Sequence, residues 1–579
     1  MALRRCLPQA LRTDKGQCVG RVRAAIVTPG SLQLMPTRRP AVARRAAMPR
    51  PFSGQPVGVD PVLAAGIDLL VRPGRMSLRL DDCAQSLREQ AASEPGRISK
   101  AIVAGPARLS QVTRTASDNS AGRPPLLLSV NQEGGRLNAL DWPGVAQLPG
   151  NLALGAAGDE DLTELAGTTI GEQLRAVGLT WNLAPVCDTT GWPASAAVGV
   201  RSFGSDPGRV GLLAAAFVRG LQRAGVAATA KHFPGLGGVG ADPHHVAPVV
   251  DRLGPGALLP FGAAIDAQVA CVMVGSHTVL AVDNKPALAS PRVLGLLRDE
   301  LGFGGVVVSE NLSIRAVHEP LGGLARAAIA AVAAGVDIVM LDSEVSRGRS
   351  SLAARRAAVR QRTVVVQALT AAVERGVIDR QRIGEAVDRV QALHQRYGLN
   401  SGSVRPDWPS VNTAAWRAAE RIADRSAAVV RGNRLLPLDV PSGKVLALVR
   451  VPDGVQRRAD SARYTPDYLP ALLAAHHRVV QVPVGAPVPT AGPVIVYGYD
   501  TRTTIAGPSR AVQEATRLVE RGRTVVQVAF GDVDDLAGSP APVLVAAFSP
   551  HWASVAAVAR ILLVDGRAHG VVPVSGLSW

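Results

Sequence analysis

The sequence predicts an α/β protein in two parts: a long parallel α/β domain of the (β/α)8 TIM-like barrel type, then a second, open α/β domain. Three observations predict it. From about residue 98, short apolar runs of β type alternate with stretches whose apolar residues recur at helical spacing. A polar, Pro-containing stretch at 400–409 interrupts the alternation, which then resumes. At 579 residues the chain is too long for one ordinary core.

In the first domain, set at 56–400, strands are expected at Ile98–Ala104, Leu126–Val130, Thr180–Pro185, Val226–Ala230, Cys271–Val274, Val306–Val308 and Val336–Leu341. Closing a (β/α)8 barrel takes an eighth, which must come from Gly66–Val71, where the pattern is weak. Helical spacing runs through Leu324–Ala334 and from Val364 to Tyr397, the latter with Ile383, Val387, Val390 and Leu393 in phase. A linker at 401–412 leads into a second domain at 413–579. There Ala414–Val430 reads as a helix and strands are expected at Val445–Val449, Val479–Val482, Val494–Tyr497, Val525–Phe530 and Val543–Phe548. Helices at Ala511–Arg521 and Ser554–Leu563 lie between and after them.

Polar residues cluster just after the first-domain strands, the end at which a barrel carries its active site. They are Asn131-Gln132-Glu133-Gly134-Gly135-Arg136, Asp188, Arg201, Ser276-His277 and Ser309-Glu310-Asn311. Each by itself reads equally as an ordinary loop residue; their shared position is the argument.

The most informative stretch is Lys231-His232-Phe233-Pro234-Gly235-Leu236-Gly237-Gly238-Val239-Gly240-Ala241-Asp242-Pro243-His244-His245. A buried strand ends at Lys231 and empties into a loop too rich in Gly and Pro for helix or strand. Asp242 and His244, two residues apart, share a face in an extended segment. The carboxylate can then hold one ring nitrogen and leave the other to move a proton. The residue types leave a second reading open, a glycine-rich surface turn with a capping Asp and solvated histidines.

Composition narrows the class. With 47% hydrophobic and 19% charged residues and no apolar run of membrane-spanning length, the chain reads as soluble and globular, with no membrane partner. The net charge of +17 raises nucleic-acid binding, but residues 1–50 hold eleven Lys or Arg against Asp14 alone, so ten of the seventeen charges lie in a tail. That placement argues against a nucleic-acid role for the folded part. The tail, 1–55, is expected to be disordered, with a targeting peptide, a nucleic-acid arm and an over-extended gene start at Met35 or Met48 as alternatives. Five cysteines, Cys6, Cys18, Cys83, Cys187 and Cys271, lack metal-ligand spacing and point to reduced thiols in a cytoplasm.

Strand, Lys-His-Phe-Pro-Gly, glycine-rich loop and Asp-x-His together resemble the family 3 glycoside hydrolases, in their β-N-acetylglucosaminidase branch. The resemblance extends from about Ile98 to Val574, taking in Arg434-Leu435-Leu436-Pro437-Leu438 and the terminal Gly-Val-Val-Pro-Val. It implies a barrel followed by an αβα sandwich, no cofactor and no metal, and a substrate ending in N-acetylglucosamine. It also implies that His244, paired with Asp242, is the acid/base, that Glu310 stands at the nucleophile position, and that Asn131, Arg201, Lys231 and His232 bind the sugar. The implied reaction is retaining exo-hydrolysis through a glycosyl-enzyme intermediate. A phosphorylase is the variant, because an imidazole does not repel incoming phosphate.

Three positions depart from the resembled pattern: Glu310 stands for an aspartate, Asn131 for an aspartate and Ala139 for an arginine. A methylene of extra reach matters where a displacement of about 1 Å can cost on the order of a hundredfold in rate. Either the pocket is shifted to suit Glu310, or the chain is an impaired, sugar-binding relative. For Lys231, His232 and Arg201 the alternative roles are an ion pair, a buried imidazole and a loop clamp.

Overall fold

The computed structural model describes residues 71–74, 105–118, 125, 127–191, 198–237, 246–342, 352–400, 402–440, 445–454, 467–488, 492–502 and 507–579. The expected tail, the strand Ile98–Ala104, and Asp242, His244 and His245 lie outside them.

Among the described residues nine strands belong to the first half: β1 Val71–Gly74, β2 Ser129–Val130, β3 Trp181–Asn182, β4 Thr229–Phe233, β5 Val249–Val250, β6 Cys271–Val274, β7 Thr278–Val279, β8 Val306–Ser309 and β9 Val339–Asp342. Parallel pairs join β2 to β3, β4 to β6, β6 to β8, and β9 to β1. Single parallel bridges, Trp181 to Ala227, Val186 to Lys231 and Val308 to Ile338, connect these pairs. Among the described residues β2, β3, β4, β6, β8 and β9 therefore neighbour one another in chain order with β1 beside β9, all parallel, while β5 and β7 form a separate pair. Those with described side chains are buried on both faces, as near-continuous runs of Val, Ala and Met require.

Helices return the chain between strands. Glu160–Ala176 is capped by Asp159, which accepts from Leu162 N at 3.0 Å, and Pro207–Arg223 by Asp206, which accepts from Arg209 N at 3.0 Å. The two pack backbone against backbone: a Cβ at Gly220 would stand 2.1 Å from Glu164 O. At the N-terminal end of β9 the buried Asp337 accepts from Arg298 at 2.6 Å, Arg382 at 2.7 Å and Arg389 at 3.1 Å, pinning helix Arg380–Tyr397 beneath the strands.

The second half has one six-stranded sheet, β10 Ala428–Arg431, β11 Val445–Arg450, β12 Arg478–Gln481, β13 Val494–Gly498, β14 Val525–Ala529 and β15 Val543–Ala546. Their order is β10-β15-β14-β13-β11-β12, parallel throughout except for β10. Alternation sorts its side chains: Leu446, Leu448, Ile495, Tyr497, Val526 and Val528 face Leu469, Leu473, Val555 and Val558. Ala447, Val449, Val494 and Val496 face Ala511, Ala515 and Leu518, and also Leu152, Ala153 and Ala156 from helix Asn151–Ala157 of the first half. The two halves thus share a core. Among the described residues no helix is long and apolar enough to cross a membrane, and Cys187 and Cys271 are buried.

Several sequence expectations need correction. The helix expected over Ala414–Val430 spans Trp408–Ser426, beginning inside the expected linker, and Ala428–Arg431 is a strand on β15. The β-branched Val429 and Val430 gain more from pairing than from another helical turn. The helical stretch Val364–Tyr397 is two helices, Leu352–Glu374 and Arg380–Tyr397, parted at Gly376 with φ +70° and restarted by the Asp379 cap. β4 runs to Phe233, past Lys231, because its neighbour β6 pairs that far.

Candidate active site

The side chains singled out at the strand ends converge. Glu133, two residues beyond Asn131 and almost fully buried, is their electrostatic centre. Arg201 grips it with two parallel hydrogen bonds, Nε to Oε2 at 2.9 Å and Nη2 to Oε1 at 2.8 Å. Lys231 Nζ stands 2.6 Å from Oε1 and donates to Asn131 Oδ1 at 2.8 Å. Burial alone would raise the carboxyl's proton affinity; the charges of Arg201 and Lys231 outweigh it and bring its pKa from 4.5 to about 2. With a neutral amide at 131, Glu133 supplies the negative charge beside Lys231.

The turn carrying Glu133 is tightly built. Asn182 of β3 accepts from Gln132 N at 3.0 Å and donates to Gln132 O at 2.8 Å. Gln132 Oε1 accepts from Ala139 N at 2.7 Å and Leu140 N at 3.0 Å, while its Nε2 donates to Asn138 at 3.1 Å. Ala139 packs against the main core, so nothing charged extends from that position.

A second unit joins Asp188 to His232. Asp188 Oδ2 lies 2.7 Å from His232 Nδ1, and its Oδ1 accepts from Leu236 N at 2.8 Å and His232 N at 3.2 Å. Burial raises this carboxyl's pKa, but the His232 ring and the three hydrogen bonds prevail, leaving it below its ordinary value. The aspartate thereby orients the His232 ring through Nδ1 and leaves Nε2 as the other nitrogen. The same Asp188 to Leu236 contact anchors the start of the glycine-rich loop.

Glu310 follows β8 directly. Its N–H donates to Val274 O at 2.9 Å, continuing the β6–β8 ladder by one residue, and its Oε2 accepts from Ser276 N at 2.8 Å. A carboxylate so held has a set plane. Beside it, His277 is wholly buried, and among the described residues neither ring nitrogen has a hydrogen-bond partner. Burial lowers its pKa to about 4 against the pull of Asp188 and Glu310, with Gly235 backbone close enough to act on the ring but outside bonding geometry. The ring is neutral at physiological pH.

Of the residues expected at the site, Asn131, Lys231 and Arg201 meet around Glu133, while His232 near the end of β4 and Glu310 just after β8 are separated by β6. Asp242 and His244 lie on the segment beyond Gly237, outside the described residues. Glu133 and His277 were visible at strand ends without an assigned role, and so was Asp188. The Gln-Glu-Gly-Gly run was the available signal for Glu133. Among the described residues no group of three or more His, Cys, Asp or Glu side chains is arranged to hold a metal ion.

A fixed carboxylate just beyond a parallel strand, with hydrogen-bond donors at other strand ends, is compatible with glycosidase chemistry. Comparison with known proteins gives the family. The sequence profile described as the glycosyl hydrolase family 3 N-terminal domain matches residues 102–393. A β-hexosaminidase of Pseudomonas aeruginosa is 39% identical over 250 residues, 42% of this chain and 74% of that one. A β-N-acetylglucosaminidase/β-glucosidase of Cellulomonas fimi is 32% identical over 319 residues, 51% of this chain and 53% of that one. The solved family 3 β-N-acetylglucosaminidase of Paenibacillus sp. str. FPU-7 superposes with a TM-score of 0.71 at 29% identity, covering 88% of this chain and 98% of its own. The chain belongs to glycosyl hydrolase family 3, and it is a glycosidase.

Proposed function

We propose that the protein is a retaining exo-β-N-acetylhexosaminidase acting on terminal β-N-acetylglucosaminides. The observation that carries the reading is Glu310, a buried carboxylate oriented by Ser276 N–H within the strand-end cluster that holds Lys231 and His232. The names of the P. aeruginosa and Paenibacillus relatives support the choice of sugar.

In this mechanism a Glu310 oxygen attacks the anomeric carbon and the glycosidic oxygen leaves with a proton from His244, whose ring Asp242 orients. An ester to Glu310 results. Water, deprotonated by the same imidazole, then attacks the anomeric carbon, displaces the Glu310 carboxylate and releases the sugar with its configuration retained. In this reading Lys231, His232 and Asn131 bond sugar hydroxyls, while Arg201 clamps Glu133. The parallel strands of the first half belong, in the same reading, to a (β/α)8-type barrel domain at 56–400, and the second domain, set at 413–579, is entered through helix Trp408–Ser426. A cell-wall fragment, a chitin oligomer or a glycoconjugate would each present the required terminal sugar.

The test is release of nitrophenol from its β-N-acetylglucosaminide, with and without phosphate, by wild type and Glu310→Gln. We expect phosphate-independent release that falls on the order of a thousandfold or more in the variant. Undiminished turnover by Glu310→Gln would overturn the nucleophile assignment. Dependence on phosphate would make the protein a phosphorylase, and inert wild type that binds N-acetylglucosamine would make it a sugar-binding relative.

A further inference from the structure

The second sheet supplies none of the site residues described above, yet its carboxyl edge grips both loops that carry the Glu133–Arg201 pair. On one side His551, the residue before helix Trp552–Arg560, points its Nε2 at Gly135 O, the carbonyl to which Asn138 Nδ2 also donates. The two nitrogens are 3.3 Å apart, so one carbonyl collects two donors. Arg136, between them in sequence, reaches Asp500 beyond β13 at 3.5 Å. The turn they hold is short and closed on itself, with Glu133 N bonded to Leu137 O at 2.9 Å. Displacing Gly135 therefore moves Glu133.

The other side is held by the C-terminal segment. Ser205 N donates to Pro573 O at 2.9 Å, and Ser575 N donates to Ser205 Oγ at 3.0 Å. The approach is close enough that a Cβ at Gly204 would stand 2.5 Å from Pro573 O. Gly204 O in turn accepts from Thr190 N at 2.9 Å, and Ser202 Oγ donates to Asp188 O at 2.7 Å, so this strap backs both Arg201 and Asp188.

We infer that the second domain is a brace for the sugar-facing loops, and that His551 is a positioning residue acting on Glu133, and through it on Lys231, by way of Gly135. An open α/β sheet ordinarily uses its carboxyl edge for a small ligand; here that edge is spent on a loop of its own chain. His551 is buried and touches the loop backbone, so its effect falls on where the sugar-binding donors sit. The kinetic part of the inference rests on the proposed activity; the structural part does not.

The experiment uses full-length His551→Ala, His551→Gln and Asp500→Asn. Amide hydrogen exchange of residues 132–138 is expected to quicken about tenfold in His551→Ala, the size expected for one lost hydrogen bond of this kind. KM for the nitrophenyl β-N-acetylglucosaminide should rise about as much while kcat stays within about threefold, and His551→Gln, which keeps a side-chain donor, should recover most of both. Wild-type exchange and KM in His551→Ala refute the brace, as does a lowered melting temperature with neither changed. Should His551→Ala fail to fold, Asp500→Asn decides: faster exchange at 132–138 supports the inference and wild-type exchange overturns it. A wild type inert on the glycoside sinks the proposed function, and the exchange comparison still decides this one.

Discussion

Replacing Glu133 with Gln keeps the shape of the side chain and removes its charge. In the folded protein that carboxyl titrates at about 2 rather than 4.5. At about 1.4 kcal/mol per tenfold change in proton affinity, the interactions of its ionised form contribute roughly 3 kcal/mol. The variant leaves the Lys231 ammonium and Arg201 guanidinium, both largely buried, without their anion. Breaking such a buried pair costs about 3–5 kcal/mol, in accord with the first figure. Because the folded value is depressed, the contribution is complete above pH 4.5 and disappears as pH falls from 4.5 to about 2. Urea unfolding of wild type and Glu133→Gln across this range is the assay. The variant should be less stable by roughly 3 kcal/mol at pH 7, with the gap closing on acidification. A gap under about 1 kcal/mol at pH 7, or one that persists unchanged to pH 2, would show that the charge cluster is not a net stabilising element.

Other outcomes follow from the neighbouring groups. Asp188→Asn frees the His232 ring to rotate and should lower kcat/KM about a hundredfold, the cost of a misplacement near 1 Å; a fall of less than threefold would remove the orienting role. His277 titrates at about 4 in the folded protein against an ordinary 6.5, so unfolding takes up a proton between these values and stability declines as pH falls from 6.5 to about 4. His277→Leu should lack that portion of the acid decline, roughly 3 kcal/mol, and an identical pH profile would contradict the buried neutral ring. Asp337→Asn strips the shared acceptor from Arg298, Arg382 and Arg389. It should destabilise by about 3–5 kcal/mol while leaving kcat and KM in place, since the cluster lies at the far end of the strands from Glu310; altered KM in a folded sample would contradict that separation.

Periodicity alone located the cores of these strands. Cys271–Val274 and Val306–Val308 read as strands because buried parallel strands are continuous apolar runs, a pattern set within a few residues. Ala428–Arg431 was hidden, since its pairing partner β15 lies more than a hundred residues away and only that contact distinguishes it from a helix end. In the site, Lys231, His232 and Glu310 could be found because each lies within two residues of the end of an apolar run. The partnership of Glu133 with Arg201 and Lys231 could not, since no spacing in the chain encodes a hydrogen bond between residues 68 apart.

The chain's local chemistry determined which residue types stand at the strand ends, and it identified the family through one continuous motif. Three-dimensional packing alone decided that Arg201 faces a carboxylate, that His277 is sealed from water and neutral, and that His551 reaches back across more than four hundred residues to Gly135. The reason is one of range. Side-chain identity and periodicity are properties of neighbouring residues, whereas charge pairing, desolvation and loop placement depend on which distant segments are brought within a few ångströms.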